Sequence, residues 1–306
     1  MRITILGSAA GGGFPQWNSN CRNCAGVRSG QVNAKPRTQS SIFVQPDAGI
    51  DGVLFNASPD ILEQTRSHPA LQPGRSLRDT AIAGVVLMDG QIDHCTGLFM
   101  LRERGGKLPL WCTDPVEEDL KHGNPVLRVL EHYCGVQRHR ITLDATWFEV
   151  PGVADLRFRA LPLSSKAAPY SPHRDHPVPG DNIGISIQDQ RSSKTAFYAP
   201  GLGEITAQVF DAMCSADAVL VDGTFWTDDE MPRLGISHKT AREIGHLPQS
   251  GPGGMIEWLA RLPPATRRLL IHINNTNPIL DEDSAERTAL RQAGIEVCED
   301  KMSLHF

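Results

Sequence analysis

An apolar run that ends in closely spaced polar residues limits the folds open to this chain more than any other segment. The run, Ile82–Met88, predicts a buried strand of a layered α/β protein, because a strand that is covered on both faces is apolar throughout. The polar residues that follow it are Asp89, Gln91, Asp93 and His94. Reactive groups in α/β sheets lie just beyond the carboxyl ends of strands, so we expect a functional site at this edge.

Short strands and helices alternate along the whole chain. Further strands are predicted at Ile3–Leu6, Ser41–Gln45, Gly52–Phe55, Leu156–Leu161, Ile183–Ile187, Thr195–Tyr198, Ala218–Val221 and Leu269–Ile273. Helices are predicted at Gly97–Glu103, Pro125–Tyr133, Met255–Arg261 and Ser284–Ala293. The alternation fits helices packed outside two central sheets, although the pattern alone does not separate that arrangement from one doubly wound sheet. Because no segment marks a boundary, we expect residues 1–306 to form a single domain.

The composition excludes some classes of function. A formal net charge of −5 and a pI near 6.1 give no support for nucleic-acid binding. The N-terminal segment is too short and too uncharged for a signal peptide, and no apolar run approaches the length that spans a membrane. Seven cysteines without a disulfide-like spacing favour a reducing compartment. We therefore expect a cytoplasmic protein without nucleic-acid or membrane partners.

Two more polar residues stand at the ends of apolar strands. Asp222 closes the strand that begins at Ala218, and His272 stands near the end of the apolar segment Leu269–Ile273. Taken singly, an aspartate after a strand is usually a turn former or helix cap, and a histidine in a strand is usually a hydrogen-bonded core residue. The order along the chain is what distinguishes them, since an Asp-His pair, an Asp and a His each follow a separate apolar strand.

The polar loop after the first of these strands resembles a known metal-binding loop. Asp89, Gln91, Asp93 and His94 have the spacing of the His-x-His-x-Asp-His loop of the metallo-β-lactamase superfamily, with Asp89 and Gln91 at the first two histidine positions. Several segments resemble, more narrowly, the pyrroloquinoline quinone (PQQ) biosynthesis protein B family. These segments are Gly11–Asn18, Gln91–His94, Asp222–Trp226, Gly245–Pro248 and His272–Pro278. The resemblance covers almost the whole chain and implies an αββα sandwich of the metallo-β-lactamase type.

The resemblance also implies a function. The family takes part in making the redox cofactor PQQ from a Glu and a Tyr of a ribosomal peptide. For this chain, the resemblance implies an iron-dependent, O2-using hydroxylase of the tyrosine ring in a Glu-Tyr-derived intermediate. The expected partners are this small or peptide-derived quinone precursor and other proteins of the PQQ pathway. Two alternatives remain open: a metal-dependent hydrolase that uses zinc, and a non-catalytic carrier of PQQ or its precursor.

The residues that match the superfamily's ligands form one intact half of a two-metal site. The retained set is Asp93, His94, Asp222 and His272, whereas the other half is broken at Asp89 and Gln91. Two imidazoles with one or two carboxylates suit Fe(II) and leave positions open for O2, although Zn(II) accepts the same ligands. Hydrolysis in this superfamily generally uses a hydroxide that bridges two metals, so the loss of one position disfavours it.

The resemblance assigns roles to residues around this set. His246 matches a histidine on the catalytic side of relatives, so His246 and Asp222 are the predicted catalytic residues. Asp89 and Gln91 are free to hydrogen-bond the substrate or to orient a ligand. His173 and His176 lie in the proline-rich loop between residues 164 and 181, where they either contact substrate or are simply solvated.

A second metal signal lies near the N-terminus. Cys21 and Cys24 form a Cys-x-x-Cys pair, which is typical of a zinc knuckle but equally of a reactive dithiol. Related phosphodiesterases hold a structural zinc here with a further cysteine and a histidine, where this chain has Ser19 and Asn275. We predict a structural Zn(II) at Cys21 and Cys24, with Asn275 as a candidate partner.

Overall fold

The computed structural model describes residues 1–306 and contains two β-sheets that face each other. The strands are Arg2–Gly7 (β1), Ser41–Gln45 (β2), Gly52–Phe55 (β3), Ile82–Val86 (β4), Leu108–Cys112 (β5), Val136–Arg140 (β6), Leu156–Pro162 (β7), Ile183–Asp189 (β8), Thr195–Ala199 (β9), Ala218–Asp222 (β10), Arg267–Ile271 (β11), Ile295–Val297 (β12) and Ser303–His305 (β13). The helices are Arg22–Ser29 (α1), Ile61–Ser67 (α2), Ile92–Cys95 (α3), Asp114–Lys121 (α4), Val126–Leu130 (α5), Ala207–Cys214 (α6), Glu230–Arg233 (α7), Met255–Ala260 (α8) and Ala285–Gln292 (α9). None of these helices combines the length and the apolar character needed to cross a bilayer.

The two sheets have related topologies. The seven-stranded sheet has the order β13-β1-β2-β3-β4-β5-β6, and the six-stranded sheet has the order β12-β11-β10-β9-β8-β7. Each contains an antiparallel part, through β1, β2 and β3 in one and β7, β8 and β9 in the other. Each continues as parallel strands, from β3 to β6 and from β9 to β12. The residues that follow the parallel strands β4, β10 and β11 lie at the carboxyl ends of these strands, where α/β sheets carry their functional groups.

Apolar side chains from both sheets form the central core. One cluster of 27 buried residues joins strands of both sheets, including Ile5 and Val44 from one and Leu220 and Leu269 from the other. Helices cover the outer faces: α4 and α5 pack on the first sheet, and α6, α8 and α9 pack on the second. This layering confirms the predicted αββα sandwich and excludes a single doubly wound sheet.

Main-chain hydrogen bonds join the two sheets at the edge that carries the polar residues. Beyond β4, the Met88 carbonyl accepts a hydrogen bond from the Ile183 amide of β8 at 2.9 Å. Beyond β11, Ile273 exchanges hydrogen bonds with the segment after β1, donating to Ser8 and accepting from Ala10, both at 2.9 Å. The segments that carry Asp89 and His272 are therefore fixed by backbone contacts as well as by packing.

The strand predictions are confirmed with small shifts at the ends, and the helix predicted at Gly97–Glu103 is a 3-10 helix at Thr96–Leu101 rather than an α-helix. The helix α3 begins directly after Gln91, and a 3-10 turn at Thr96–Leu101 follows it. Asp93 and His94 therefore lie on the single turn of α3. This turn places both residues beyond the end of β4. Four strands have no prediction: β5 (Leu108–Cys112), β6 (Val136–Arg140), β12 (Ile295–Val297) and β13 (Ser303–His305).

The position of α3 depends on a close backbone contact at Gly97. The Gly97 amide donates to the Ala57 carbonyl at 2.8 Å, and the Ala57 amide donates to the His94 carbonyl at 2.7 Å. A Cβ atom on Gly97 would lie 2.1 Å from the Ser58 carbonyl oxygen, which is backbone and has no rotamer to change. Glycine is therefore required here so that the helix can approach the strand ends.

The substitution Gly97→Ala should lower the free energy of unfolding by about 1–3 kcal/mol, because the added methyl group forces the backbone of α3 away from Ala57. Urea denaturation followed by circular dichroism measures the change. Gly106→Ala is the matched control, since a Cβ atom at Gly106 meets nothing within 4 Å. Equal midpoints for the two variants would contradict the packing argument.

Candidate metal centre

Three strand ends bring the predicted site residues together. Asp89 follows β4 after two residues, Asp222 is the last residue of β10, and His272 is the first residue beyond β11. His272 does not lie inside the strand as predicted, and it has a positive φ of 61°. A non-glycine residue in this left-handed region is strained, and such strain is kept where the surrounding contacts fix it.

Asp93, His94 and His272 form the first group of metal-ligating atoms. The Oδ2 atom of Asp93 lies 3.1 Å from His272 Nε2 and 3.6 Å from His94 Nε2, and all the ligand atoms of the group lie within 4.8 Å of one another. The His94 Nε2 atom is buried and has no hydrogen-bond partner. An imidazole nitrogen that is desolvated and unpartnered, and that faces a carboxylate, fits a metal ligand.

Asp89 anchors His94 from the opposite side of the ring. Both carboxylate oxygens of Asp89 lie 2.8 Å from His94 Nδ1, and both residues are buried. Because a carboxylate only accepts hydrogen bonds, His94 donates from Nδ1 and keeps its Nε2 lone pair toward Asp93. Burial lowers the pKa of His94, but the charges of Asp89 and then Asp93 more than offset this and raise it to about 9. Asp89, predicted as a substrate-binding residue, therefore orients a ligand, which is the alternative role that the sequence analysis gave it.

Asp222, His246 and His272 form a second group, which shares His272 with the first. Asp222 is fully buried and its two oxygens accept four hydrogen bonds. The donors are the Leu202 amide at 2.9 Å and His246 Nδ1 at 2.6 Å on Oδ2, and the Thr224 amide at 2.9 Å and the Thr224 hydroxyl at 2.5 Å on Oδ1. Of the two roles predicted for Asp222, these contacts favour the catalytic partner of His246 over the metal ligand.

The Thr224 hydroxyl occupies the middle of the second group. Its oxygen lies 2.9 Å from His272 Nδ1 and 3.1 Å from His246 Nδ1, in addition to its bond to Asp222. This hydroxyl thus links the Nδ1 atoms of both histidines to Asp222. Thr224 lies in the segment Asp222–Trp226, but its role was not predicted. No local sequence signal marks a threonine that bonds a histidine 48 residues away.

The electrostatics of the centre follow from its carboxylates. Burial raises the pKa of Asp93, but the neighbouring His94 and His272 more than offset this and hold it well below its ordinary value. For His246, burial lowers the pKa and the Asp222 carboxylate raises it by more, so the net pKa is raised. The lowered pKa favours a negatively charged Asp93 on one side of the centre, and the raised pKa favours a positively charged His246 on the other.

The other residues predicted to contact substrate lie in or beside the loop after β7. Gln91 donates from its side-chain amide to the Lys166 carbonyl at 3.3 Å, so it ties that loop to α3. His173 Nδ1 pairs with Asp181 at 3.0 Å, and His176 is exposed. Neither histidine belongs to a group of metal-ligating atoms.

The cysteine pair lies at the start of α1, next to the loop that follows β11. Cys21 is the N-cap of α1 and its Sγ atom lies 3.5 Å from the Cys24 amide. The same sulfur lies 3.6 Å from Asn275 Oδ1, so the structure brings together the two thiols and the amide named from the sequence. Cys24 is buried, and burial raises the pKa of its thiol.

A cleft of about 700 Å³ opens beside the first group of ligands. Its lining includes Gly11, Cys21, Asn274 and Glu230, together with amide side chains of the N-terminal loop. A Cβ atom on Gly11 would lie 3.4 Å from the Asp93 carboxylate, so Gly11 separates the cleft from the ligand group, whose own residues do not line it. The geometry thus provides a binding volume next to the candidate metal ligands.

The raised pKa of His94 generates a pH prediction for the metal-free protein. Its pKa rises from 6.5 to about 9 on folding, so protonation of His94 stabilises the folded state below pH 6.5, and this contribution is lost as the pH rises through about 9. The free energy of unfolding of the chelator-treated protein should therefore fall across this window in urea titrations. Asp89→Asn should flatten the slope, whereas the exposed Asp211→Asn should leave it unchanged. An Asp89→Asn protein with the parent slope would contradict the anchoring role of Asp89.

Comparison with known proteins identifies the family. A profile of the beta-lactamase superfamily domain matches residues 52–273. The coenzyme PQQ synthesis protein B of Azoarcus sp. (strain BH72) is 62% identical over 304 residues and covers 99% of each chain. That of Cupriavidus necator is 61% identical over 302 residues, covering 99% of this chain and 98% of the relative. The crystal structure of Zn2+-bound PqqB from Methylobacterium extorquens superimposes over 100% of both chains with a TM-score of 0.90 and 35% identity. The chain therefore belongs to the coenzyme PQQ synthesis protein B family, within the β-lactamase superfamily.

Proposed function

We propose that this chain acts in PQQ formation as a non-haem iron oxygenase that hydroxylates the tyrosine ring of a Glu-Tyr-derived intermediate. The observation that carries the proposal is the group of Asp93, His94 and His272, in which one carboxylate and two imidazole Nε2 atoms converge. Two histidines and one carboxylate on one side of an ion suit Fe(II) and leave positions open. When bound, Fe(II) supplies the redox chemistry for O2, which Zn(II) lacks.

The loss of the second metal position supports a mononuclear centre. At the first ligand position of that missing metal, Asp89 is engaged with His94 Nδ1. At the second, Gln91 bonds the Lys166 carbonyl. Both side chains are therefore committed to neighbouring protein groups, and a bridged two-metal hydroxide has no ligands on that side.

His246 is the residue that we propose to move a proton. Its Nδ1 atom donates to Asp222, so Nε2 presents a lone pair, and its pKa is raised by that carboxylate. A phenol or ring proton of the substrate would pass to His246 Nε2. The cleft lined by amide side chains beside Asp93 would hold the rest of the quinone precursor.

A mononuclear zinc hydrolase is the second candidate. The Zn2+-bound state of the Methylobacterium extorquens relative favours it, since the same two imidazoles and carboxylate are acceptable zinc ligands. A carrier of PQQ without chemistry accounts less well for an unpartnered ligand nitrogen in a desolvated group.

An anaerobic reconstitution experiment separates these candidates. Metal-free protein loaded with Fe(II) should consume O2 with a Glu-Tyr cross-linked substrate and a two-electron reductant such as ascorbate, which supplies the electrons that reduce the second oxygen atom to water. Zn(II) should inhibit, because zinc has no redox chemistry. His272→Ala should abolish iron retention at the centre and oxygen uptake together, whereas the exposed His132→Ala should retain both. Metal analysis and an oxygen electrode provide the measurements. Equal turnover with Zn(II) under strict exclusion of iron would favour the hydrolase.

We also propose that Cys21 and Cys24 hold a structural Zn(II), with Asn275 as a further partner. The Sγ of Cys21 lies 3.5 Å from the Asn275 carbonyl oxygen as well as 3.6 Å from its side-chain oxygen. Such a site would tie α1 to the loop after β11. The spacing of the two thiols on the first helical turn suits a zinc knuckle.

The double variant Cys21→Ser/Cys24→Ser should lose one zinc per chain and melt at a lower temperature than the parent, because the proposed zinc contributes folding free energy. The metal of the histidine centre should be retained. Metal analysis and calorimetry measure the two effects, and Cys214→Ser is a control that removes a thiol elsewhere. A double variant with the zinc content and melting temperature of the parent would show that no such site exists.

A further inference from the structure

We infer that Thr224 is a positioning residue that fixes the hydrogen of His272 on Nδ1, so that His272 Nε2 is available to the metal. The inference rests on the proposed metal centre but not on the reaction carried out there. Thr224 is buried, and its hydroxyl oxygen lies within hydrogen-bonding distance of four atoms of three residues. These are Asp222 Oδ1 at 2.5 Å, His272 Nδ1 at 2.9 Å, the His272 carbonyl oxygen at 2.9 Å and His246 Nδ1 at 3.1 Å.

The hydrogens of this network can be assigned from the chemistry of the partners. Asp222 Oδ1 and the His272 carbonyl only accept, so the single hydroxyl hydrogen of Thr224 points to one of them. The oxygen of Thr224 then accepts from His272 Nδ1. Without metal, His272 Nε2 donates to the Asp93 carboxylate at 3.1 Å. With the other hydrogen held on Nδ1, Nε2 is the atom that can give up its hydrogen and offer a lone pair to a cation.

Thr224 is the only side chain within hydrogen-bonding distance of His272 Nδ1. The kind of partner distinguishes this histidine from the two others. His94 donates from Nδ1 to Asp89, and His246 donates from Nδ1 to Asp222, so a carboxylate fixes each directly. His272 meets a neutral hydroxyl, which is itself oriented by Asp222. The carboxylate of Asp222 thus acts on His246 through Oδ2 and on His272 through Oδ1 and Thr224.

Backbone hydrogen bonds hold the strained segment around His272. The Gly223 amide donates to the Ile271 carbonyl at 2.7 Å, and the Asn274 amide donates to the Thr224 carbonyl at 3.1 Å. These bonds lie on both sides of His272, which has a positive φ of 61°. Loss of the Thr224 hydroxyl therefore removes the partner of His272 Nδ1, while these bonds and the methyl packing of a valine remain.

The test compares Thr224→Val, which removes the hydroxyl, with Thr224→Ser, which keeps it. Cobalt(II) is the probe, because its thiolate charge-transfer band separates binding at a cysteine site from binding at the histidine centre. Chelator competition should give a Co(II) affinity about 10–100-fold weaker for Thr224→Val at the histidine centre. Thr224→Ser should keep the wild-type affinity. Thr266→Val is the matched control, since it removes another buried hydroxyl, bonded to the Ala216 carbonyl at 3.0 Å.

Nitrogen-15 spectra of the cobalt-free, zinc-loaded wild-type protein give a readout that does not depend on the variants. They should assign the hydrogen of His272 to Nδ1, with slow solvent exchange. An Nε2–H tautomer, wild-type affinity in Thr224→Val, or equal losses in the valine and serine variants would overturn the role of Thr224. Failure of the wild-type protein to bind Co(II) at the histidine centre would instead overturn the proposed centre, and this role with it.

Discussion

The chemistry of the centre depends on the hydrogen bonds that hold the Nδ1 atoms of its three histidines. His94 is held by Asp89, His246 by Asp222 and His272 by Thr224. Each bond holds a hydrogen on Nδ1, leaves Nε2 as the atom that takes either a proton or a metal, and fixes the plane of the ring. The sandwich fold supplies the rest of this arrangement, because the ends of β4, β10 and β11 meet at one edge and carry the anchors with them.

The same anchors give the centre an excess of buried negative charge. Asp89, Asp93 and Asp222 carry three carboxylates, whereas neutral imidazoles carry no charge, and burying unbalanced charge is costly. The protein without metal compensates by taking up protons, as the raised pKa of His94 and His246 indicates. A divalent cation at Nε2 of His94 would supply the same compensation. Protons and metal therefore compete for one atom, so the pH dependence of the empty protein and the affinity for metal have one physical origin.

The sequence predicted the layers and most strands, because buried strands are recognisable as apolar runs. It did not predict β5, an apolar segment that contains Pro109, because a proline within a run argues against a strand. It also did not predict β6, whose segment Val136–Arg140 carries charged residues at a sheet edge, or the three-residue strands β12 and β13. It predicted which strand ends meet, since superfamily order fixes them. It assigned no role to Thr224, and it gave Asp89 the role of orienting a ligand without identifying that ligand as His94. Hydrogen bonds made by buried polar groups depend on tertiary packing and leave no periodic pattern.

Asp89 stands at a ligand position of the metal that this chain lacks, and its side chain bonds a candidate ligand of the other metal. A histidine at this point of the loop is a ligand in the superfamily, but the aspartate here, three positions after the end of β4, bonds the ring of His94, five residues along the chain. The exchange removes a ligand from one metal and adds a charged partner to a ligand of the other, which makes that imidazole a stronger donor. Loss of the first position and strengthening of the second are thus two consequences of one residue. The mononuclear centre that we propose would keep the ligand geometry of the superfamily and would give up the bridging hydroxide on which hydrolysis there depends.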